Sequence, residues 1–269
     1  MIIKTIPLSH LTTIHLSGYS YLNIVESMED LASVEQDYFI GGGSNIIIKD
    51  NFIKLFKLSE KFSYIRIEND MLIVGAATKM SKIMQFCINN SISSLDFLYG
   101  VPLSIGGAVF MNAGAFQNSI KDKLIYAKVY LKGSGVKTLY CNEINFSYRK
   151  TSIKGIVTEA AFKYEKDDRQ NLILKVKKNI STRVKNAHIH NTFGSVFKNP
   201  KDAYAGKLVE DAKLKGFIKN SAKISNRHAN YIIGSKETEV YDILFLIDKM
   251  KNDVFKLFSV ELEEEVKII

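Results

Sequence analysis

Cysteine is scarce in this sequence. Among 269 residues there are two cysteines, Cys87 and Cys141, which lie far apart and form neither a CxxC motif nor a cysteine-rich framework. Disulfide-bonded domains of oxidising compartments usually carry such patterns. The scarcity therefore gives no support to a disulfide scaffold, and we expect both cysteines to be free thiols.

Long hydrophobic runs are also lacking. No segment reaches the ~18 apolar residues of a membrane-spanning helix. The N-terminal MIIKTIPLSHL has a short apolar stretch without the charged region and full apolar region of a signal peptide. We expect a cytoplasmic protein with no membrane insertion.

A dense basic run is missing as well, although positive charge is plentiful. There are 37 Lys and Arg residues against 28 Asp and Glu residues, a formal net charge of +9. Such a balance suits polyanions, including small molecules that carry phosphates. Because the basic residues are scattered among acidic ones, we predict a solvated lysine-rich surface and no nucleic-acid partner.

Length and composition indicate a folded protein of one large or two modest domains. Short strand-like segments separated by glycine turns dominate the first part of the chain, and MSKIMQFCINN has the period of one amphipathic helix. A charged amphipathic helix is expected to end near residue 187. The sequence thus predicts the α+β class, with two domains meeting near residue 185.

Two more helices are predicted beyond that point. One covers AYAGKLVEDAKLKG and is stopped by Gly216. The other runs from about Glu237 to Phe258, with Glu237 and Glu239 in its first turn, where the helix dipole favours acidic groups.

The first glycine-rich segment, IGGGSN, follows an apolar strand-like stretch. Consecutive glycines let backbone N–H groups approach a phosphate without interference from β-carbons. The dinucleotide fingerprint GxGxxG is not present, because the third glycine is missing and isoleucines continue as a strand. The residues alone are therefore compatible with an anion-binding loop or with a tight turn between strands.

The second glycine-rich segment, YGVPLSIGGAVFMNAGAF, offers Ser104 and Asn112 as side-chain donors among small apolar neighbours. A large ligand would fit against such a surface. Close packing of a helix on a sheet also requires small residues, so both interpretations stay open at this stage.

Seven motifs occur in order along the sequence, namely GGGSN, GVPLSIGGAVFMNAGAF, FSYRKT, GSVFKNP, AGKLVEDAKLKG, ISNRHANYII and VELEEEVKII. One motif alone would be weak evidence, but seven in order are specific. Together they resemble one family, the UDP-N-acetylenolpyruvoylglucosamine reductases. These are flavoenzymes that complete UDP-N-acetylmuramate in peptidoglycan synthesis.

The resemblance implies an FAD-binding domain like that of vanillyl-alcohol oxidase over residues 1–185, with two subdomains split near residue 60. A smaller α+β substrate-binding domain is implied over residues 186–269. FAD would be held noncovalently, NADPH would donate the hydride, and the partner would be a UDP-sugar. Leu103 departs from the glycine usual in the family and is left out of the site. The implied cofactor-binding residues are Gly41, Gly42, Gly43, Ser44, Asn45, Gly100, Pro102, Ser104, Gly106, Gly107 and Asn112.

Reduction of an enolpyruvyl ether requires a hydride, stabilisation of the charge that develops beside the carboxylate, and a proton. The resemblance implies that Arg149 grips the enolpyruvyl carboxylate, a task that suits the bidentate guanidinium. Ser195 matches the serine expected to donate the proton, since a neutral hydroxyl can do so without placing a charge there beforehand. Tyr148, Lys198 and Asn199 are candidates for substrate contacts.

The C-terminal VELEEEVKII is predicted to form a strand, on which period two places Glu261, Glu263, Glu265 and Lys267 on one face. Glu265 aligns with the active-site glutamate of the family. Lys267 replaces the usual arginine, which preserves charge and loses the planar fork. Without the resemblance, this segment would be interpreted as an acidic solvated strand face.

Histidines give no convincing metal site. His188 and His190 could share a strand face, but no third ligand is evident, so no metal is predicted. His228 is expected to be structural. The alternatives kept open are a related FAD oxidase of an alcohol or sugar, and a nucleotide-sugar or nucleic-acid binding module without redox chemistry.

Overall fold

The fold is taken from a computed structural model, which describes residues 2–32, 34, 38–187, 190–235 and 237–269. Both helices and strands occur along the chain, so the predicted α+β class is confirmed at the level of mixed content. The strands are β1 Ile2–Pro7, β2 Tyr19–Val25, β3 Ile46–Ile47, β4 Lys54–Leu58, β5 Ile65–Glu68, β6 Met71–Gly75, β7 Ile92–Ser93, β8 Gly114–Ala115, β9 Asn118–Ser119, β10 Leu124–Leu131, β11 Gly135–Tyr140, β12 Phe146–Ser147, β13 Lys150–Thr151, β14 Ile156–Phe162, β15 Glu165–Lys166, β16 Ile218–Lys219, β17 Ala222–Ile224, β18 Ile232–Gly234 and β19 Lys267–Ile268.

Within the described residues, the α-helices include the four that the sequence predicted and three short ones that it did not predict. They are α1 Met28–Ala32, α2 Met80–Asn89, α3 Ile105–Phe110, α4 Ile120–Lys123, α5 Arg169–Asn186, α6 Ala205–Asp211 and α7 Val240–Phe258. The periodicity of MSKIMQFCINN is confirmed by α2, and the charged helix expected to end near residue 187 is α5.

Two helix ends differ from the prediction. The helix predicted to stop at Gly216 ends at Asp211, and Lys213 already has a left-handed φ of 61°. Glu237 and Glu239 precede α7 rather than occupying its first turn, which contains Asp242 instead. Local periodicity marks the body of a helix, whereas its ends depend on turn geometry and on side chains brought in from elsewhere.

The chain forms two compact units, and each of them is made of several separate segments of the sequence. The first comprises Met1–Ile3, Leu22–Gly42 and Lys54–Ser181, and the second Lys4–Tyr21, Gly43–Ile53 and Thr182–Ile269. The predicted division at residues 185 and 186 lies near Thr182, but the second unit also takes two segments from the N-terminal part. Pairing explains this, because β19 is parallel to β3 and Leu16 pairs with Thr238.

The first unit is built on a five-stranded sheet in the order β11-β10-β14-β6-β5, in which neighbours are antiparallel. Val74, Val129 and Phe162 of this sheet lie in the same buried cluster as Ile83 of α2 and Val109 of α3. Burial of these aliphatic and aromatic groups removes apolar surface from water and stabilises the unit. The helices thereby hold the second glycine-rich segment against the sheet.

The second unit contains a three-stranded antiparallel sheet in the order β16-β17-β18. Helix α7 packs on it through a buried stripe that includes Ile243, Ile247 and Met250. Within the described residues, no helix is long and apolar enough to cross a membrane. Both cysteines are free thiols, as predicted, with Cys87 buried.

Candidate active site

A cavity of about 570 Å³ lies in the first unit, and residues from both glycine-rich segments line it. Its volume is in the range of pockets that bind cofactors and other small molecules. Five of the residues predicted to bind a cofactor contribute to its wall, namely Gly41, Gly42, Ser104, Gly106 and Gly107.

The first glycine segment requires glycine because it passes very close to the second. A β-carbon on Gly41 would lie 2.4 Å from Ser104 Oγ, and one on Gly42 would lie 2.9 Å from the carbonyl oxygen of Pro102. No described residue accepts a hydrogen bond from the N–H groups of Gly41 and Gly42. These two donors are therefore available to a ligand in the cavity, as expected for an anion-binding loop.

The second glycine segment is a loop that ends in α3. Ser104 is the N-cap residue, but its hydroxyl makes no capping hydrogen bond. The N–H groups of Ile105 and Gly106 donate to the carbonyl oxygens of Thr78 and Ala76 at 3.0 and 2.8 Å. Part of the first turn is thus engaged by the protein itself. The close-packing interpretation is confirmed, because α3 packs on the sheet. The segment also borders the cavity, and binding of a ligand there stays a prediction.

Six other residues predicted to bind the cofactor are not in the cavity wall. Gly43, Ser44 and Asn45 belong to the second unit, while Gly100, Pro102 and Asn112 belong to the first unit outside the wall. Asn112 is buried and uses both polar atoms of its amide, donating to the Ser147 carbonyl and accepting from the N–H of Lys121. It connects the second glycine segment to a neighbouring hairpin.

Ile40 and Phe110 of the two glycine-rich segments also line the cavity, and the rest of its wall comes from residues outside the sequence motifs. Phe39, Tyr130 and Ile156 supply apolar surface, and Lys57 and Lys79 supply positive charge. They belong to separate strands, turns and helix ends, so only the tertiary structure brings them together. No periodicity or spacing in the sequence could have identified them.

The FSYRKT motif is a hairpin formed by β12 and β13, with Tyr148 and Arg149 at the turn. Arg149 has a left-handed φ of 57°. Its guanidinium donates to the Gly114 carbonyl oxygen at 2.9 Å and lies 4.9 Å from the centre of the Tyr148 ring. Arg149 is half-buried and Tyr148 is exposed. The hydrogen bond to Gly114 holds the Arg149 guanidinium, with the Tyr148 ring beside it, at the end of the second glycine segment.

Ser195 and its neighbours lie in the second unit. Ser195 is half-buried, and its position pairs with Tyr231 in an isolated antiparallel bridge. The Val196 N–H donates to the Asn230 carbonyl at 2.9 Å, which fixes the backbone beside the serine. The Ser195 hydroxyl makes no hydrogen bond within the part of the chain that the structure describes, so it is free to donate to a ligand.

Lys198 and Asn199 have contacts within the protein. The Lys198 ammonium forms an ion pair with Glu263, and the Asn199 side chain accepts from the N–H of Ala205 at 3.1 Å, at the start of α6. Asn199 therefore has a helix-capping role that the sequence motif alone did not indicate.

The C-terminal segment is less regular than the predicted strand. Only Lys267 and Ile268 form β19, and Glu264 makes an isolated bridge with Phe197. The Glu265 N–H donates to the Val196 carbonyl at 2.8 Å, so Glu265 lies beside the segment that carries Ser195. Glu265 is half-buried, while Glu261 and Glu263 are exposed. The three glutamates that were predicted to share one strand face therefore differ in their exposure to solvent.

Among the described residues there is no group of three or more His, Cys, Asp or Glu side chains that could hold a metal ion. His188 lies outside the described residues. His228 accepts from the Asn230 N–H at 3.3 Å, and burial lowers the pKa of its imidazole, with the charge of Lys215 adding to the effect. A neutral imidazole with these contacts suits a packing role.

Comparison with known proteins decides the family. A curated reductase of UDP-N-acetylenolpyruvoylglucosamine from Bacillus pumilus is 32% identical over 285 residues, which covers 100% of this chain and 94% of the relative. The chain belongs to the UDP-N-acetylenolpyruvoylglucosamine reductase family. The Bacillus subtilis reductase is 30% identical over 280 residues, with 98% of this chain and 92% of the relative covered.

A family model and a solved structure agree with this assignment. The model for the C-terminal domain of UDP-N-acetylenolpyruvoylglucosamine reductase matches residues 184–269. The crystal structure of the reductase from Thermus caldophilus has a TM-score of 0.88 and 27% identity, covering 100% of this chain and 99% of that one. The resemblance inferred from the seven motifs is therefore confirmed.

Proposed function

We propose that this protein is an NADPH-dependent flavoenzyme that reduces the enolpyruvyl group of UDP-N-acetylenolpyruvoylglucosamine to give UDP-N-acetylmuramate for peptidoglycan synthesis. The observation that carries the proposal is full-length similarity to reductases of that name, at 32% identity over 100% of the chain. Enzymes that are similar over their whole length usually keep their reaction when the residues that carry the chemistry are retained. Arg149, Ser195 and Glu265 lie in the motifs FSYRKT, GSVFKNP and VELEEEVKII, which carry the resemblance to this family.

The cavity of the first unit fits noncovalently bound FAD. Its volume is about 570 Å³, and glycine at positions 41 and 42 lets the first glycine segment pass close to the second at the cavity wall. We assign Gly41, Gly42, Ser104, Gly106 and Gly107 to the cofactor and the first unit to a fold like that of vanillyl-alcohol oxidase. When bound, the flavin supplies the hydride transfer that no side chain can perform.

The chain's own residues then have three tasks. Arg149 would bind the enolpyruvyl carboxylate, because its guanidinium stays charged and the Gly114 carbonyl fixes its direction. The charge that develops on the carboxylate as the double bond is reduced would be stabilised by that cation. Tyr148, which lies against the guanidinium, would limit its motion and contact the substrate.

Ser195 would donate the proton. The alkene gains a hydride at one carbon and a proton at the other, and the serine hydroxyl is the donor for the second step. Glu265 would lie on the same side of the second unit, since its N–H is bonded to Val196 next to Ser195. Lys198 and Asn199 would contact the UDP-sugar from the same segment, which makes the second unit the substrate-binding one.

The experiment that tests this function has two parts. The purified protein should show flavin absorbance, and NADPH should be consumed beyond one equivalent per enzyme only when UDP-N-acetylenolpyruvoylglucosamine is present. A colourless protein that still binds UDP-sugars would identify a non-redox binding module. Flavin absorbance with turnover of an alcohol or sugar, and none of the enolpyruvyl compound, would identify an oxidase.

A further inference from the structure

The wall of the cavity in the first unit is rich in lysine. Four lysines and one glutamate line it, namely Lys57, Lys79, Lys132, Lys154 and Glu60. The Glu60 carboxylate lies 2.8 Å from the ammonium group of Lys82, so its charge is already engaged by a cation outside the wall. Lys132 has a contact of its own, but Lys57, Lys79 and Lys154 still give the wall an excess of positive charge, which favours an anionic occupant.

Lys57 lies beside the first glycine segment. It follows Phe56 on β4, and the Phe56 carbonyl accepts a hydrogen bond from the Ile40 N–H at 2.8 Å, one residue before Gly41. Phe39 and Phe56 also pair in a parallel bridge. The lysine is thus held by backbone pairing next to the two free N–H donors of Gly41 and Gly42.

Lys57 is half-buried, and no carboxylate among the described residues lies within ion-pair distance of it. Burial lowers the pKa of its ammonium group, the charge of Lys79 lowers it further, and Glu60 opposes the change. A cation withdrawn from water without a counter-ion is unfavourable, and an anion that enters the cavity would relieve that cost.

Lys79 lies beside the second glycine segment. It is the N-cap residue of α2, and it pairs with Ser104 in an antiparallel bridge. Each glycine segment therefore has one lysine next to it, and both lysines line the same cavity. The N–H groups of Ile105 and Gly106 are already hydrogen-bonded to the protein, so the start of α3 offers an anion fewer donors. Charged side chains therefore contribute a larger share of the attraction for an anion in the cavity.

We propose that Lys57 and Lys79 neutralise the diphosphate of the dinucleotide bound in this cavity, with the half-buried Lys57 contributing more than the exposed Lys79. The proposal rests on the proposed function, because it takes the flavin dinucleotide as the occupant. A positive group within a few ångströms of a phosphate, in a partly dry site, contributes far more to binding than one exposed to solvent.

The test measures binding of FAD and riboflavin to the flavin-free protein by fluorescence titration. Riboflavin has no phosphate, so it serves as the uncharged probe. For Lys57→Met we expect the Kd of FAD to rise about tenfold to hundredfold, as for loss of a charged contact, with the riboflavin Kd unchanged. Lys57→Arg should recover most of the affinity. Lys54→Met is the matched control, because Lys54 is exposed on the same strand and does not line the cavity.

Two further measurements separate an electrostatic role from a structural one. Added salt should weaken FAD binding less in Lys57→Met than in the wild type, because the charge that salt screens is gone. The flavin-free Lys57→Met protein should unfold at the same temperature as the wild type or higher, since a desolvated cation has been removed. Lys79→Met should weaken FAD binding in the same direction by a smaller factor, because Lys79 is exposed.

An unchanged FAD Kd in Lys57→Met, an equal loss for FAD and riboflavin, or a lower unfolding temperature of the flavin-free variant would each overturn the proposal. In the first two cases FAD would still bind the wild type, so the proposed function would stand. Failure of the wild-type protein to bind FAD at all would instead contradict the proposed function.

Discussion

Asn45 and Glu265 are joined by a hydrogen bond across 220 residues of sequence, from the Asn45 side-chain amide to the Glu265 carbonyl at 3.1 Å. The Lys267 N–H donates in turn to the Asn45 carbonyl at 3.0 Å. The end of the first glycine motif therefore holds the backbone of the predicted catalytic glutamate. This contact gives Asn45 a positioning role that its motif did not indicate.

Glu265→Gln preserves size and removes the ionisable group. If Glu265 stabilises or protonates the intermediate, kcat should fall at least tenfold while KM changes little, the mark of an interaction made mainly in the transition state. Steady-state kinetics with the enolpyruvyl substrate measure both constants.

The control for this variant is Glu261→Gln, because Glu261 is exposed. Glu263→Gln is a poorer control, since Glu263 pairs with Lys198 and its loss would free that lysine. A Glu261 variant with lower kcat than the Glu265 variant would mean that the catalytic carboxylate is assigned to the wrong position.

Ser195→Ala should leave reduction of the flavin by NADPH intact. It should slow reoxidation of the flavin by the enolpyruvyl substrate, because only this second half-reaction requires the proton. Loss of one acid catalyst typically costs on the order of 10² to 10⁴ in rate. Stopped-flow absorbance separates the two half-reactions. Equal slowing of both would point to a binding or structural role for Ser195.

Gly107→Val should give a folded protein that purifies without flavin. Among the described residues, a β-carbon on Gly107 would meet only Ser104 Oγ, at 3.5 Å, and Gly107 lines the cavity, so the added side chain occupies the cavity rather than the core. Flavin absorbance and the thermal unfolding midpoint of the purified variant check both parts of this prediction.

Gly106→Val is the matched comparison. Its β-carbon would lie 3.0 Å from the Ala76 β-carbon, and overpacking of this kind costs about 1–3 kcal/mol of stability. Full flavin occupancy in Gly107→Val would contradict the assignment of this segment to the cofactor.

Asp242→Asn should destabilise the second unit. Asp242 is buried and accepts hydrogen bonds from the Ser221 hydroxyl at 2.8 Å and the Asn220 amide at 2.9 Å. Burial opposes ionisation, but the hydrogen bonds from Ser221 and Asn220 outweigh it and hold the pKa of Asp242 below its usual range. Loss of the Asp242 charge should lower the free energy of unfolding by about 1–3 kcal/mol at neutral pH.

The effect of this substitution should depend on pH. Because the pKa of Asp242 is lowered by folding, its contribution is complete above the unfolded pKa of about 4 and is lost as the pH falls through the folded pKa. Denaturant unfolding of wild type and Asp242→Asn at several pH values should therefore show a stability difference that narrows below about pH 4. A constant difference would contradict the assigned charge.

Local sequence predicted those parts of the fold that depend on near neighbours. The spacing of Met80, Ile83 and Ile88 predicted α2 because buried residues of a helix recur every three or four positions. The glycine motifs likewise identified five residues of the cavity wall, namely Gly41, Gly42, Ser104, Gly106 and Gly107. The end of α6 and the start of α7 were misplaced, because Lys213 and Glu237 adopt left-handed backbone that no periodicity reveals.

The sequence by itself determined the family, the glycine segments and the residues expected to carry the chemistry, since these are encoded in short motifs whose order is specific. Only the tertiary structure decided that residues 4–21 and 43–53 join the C-terminal unit, because strand pairing between distant segments leaves no local signal. It also decided that Lys57 and Lys79 line one cavity. Backbone bridges between Phe56 and Phe39 and between Lys79 and Ser104 bring these separate strands and turns together.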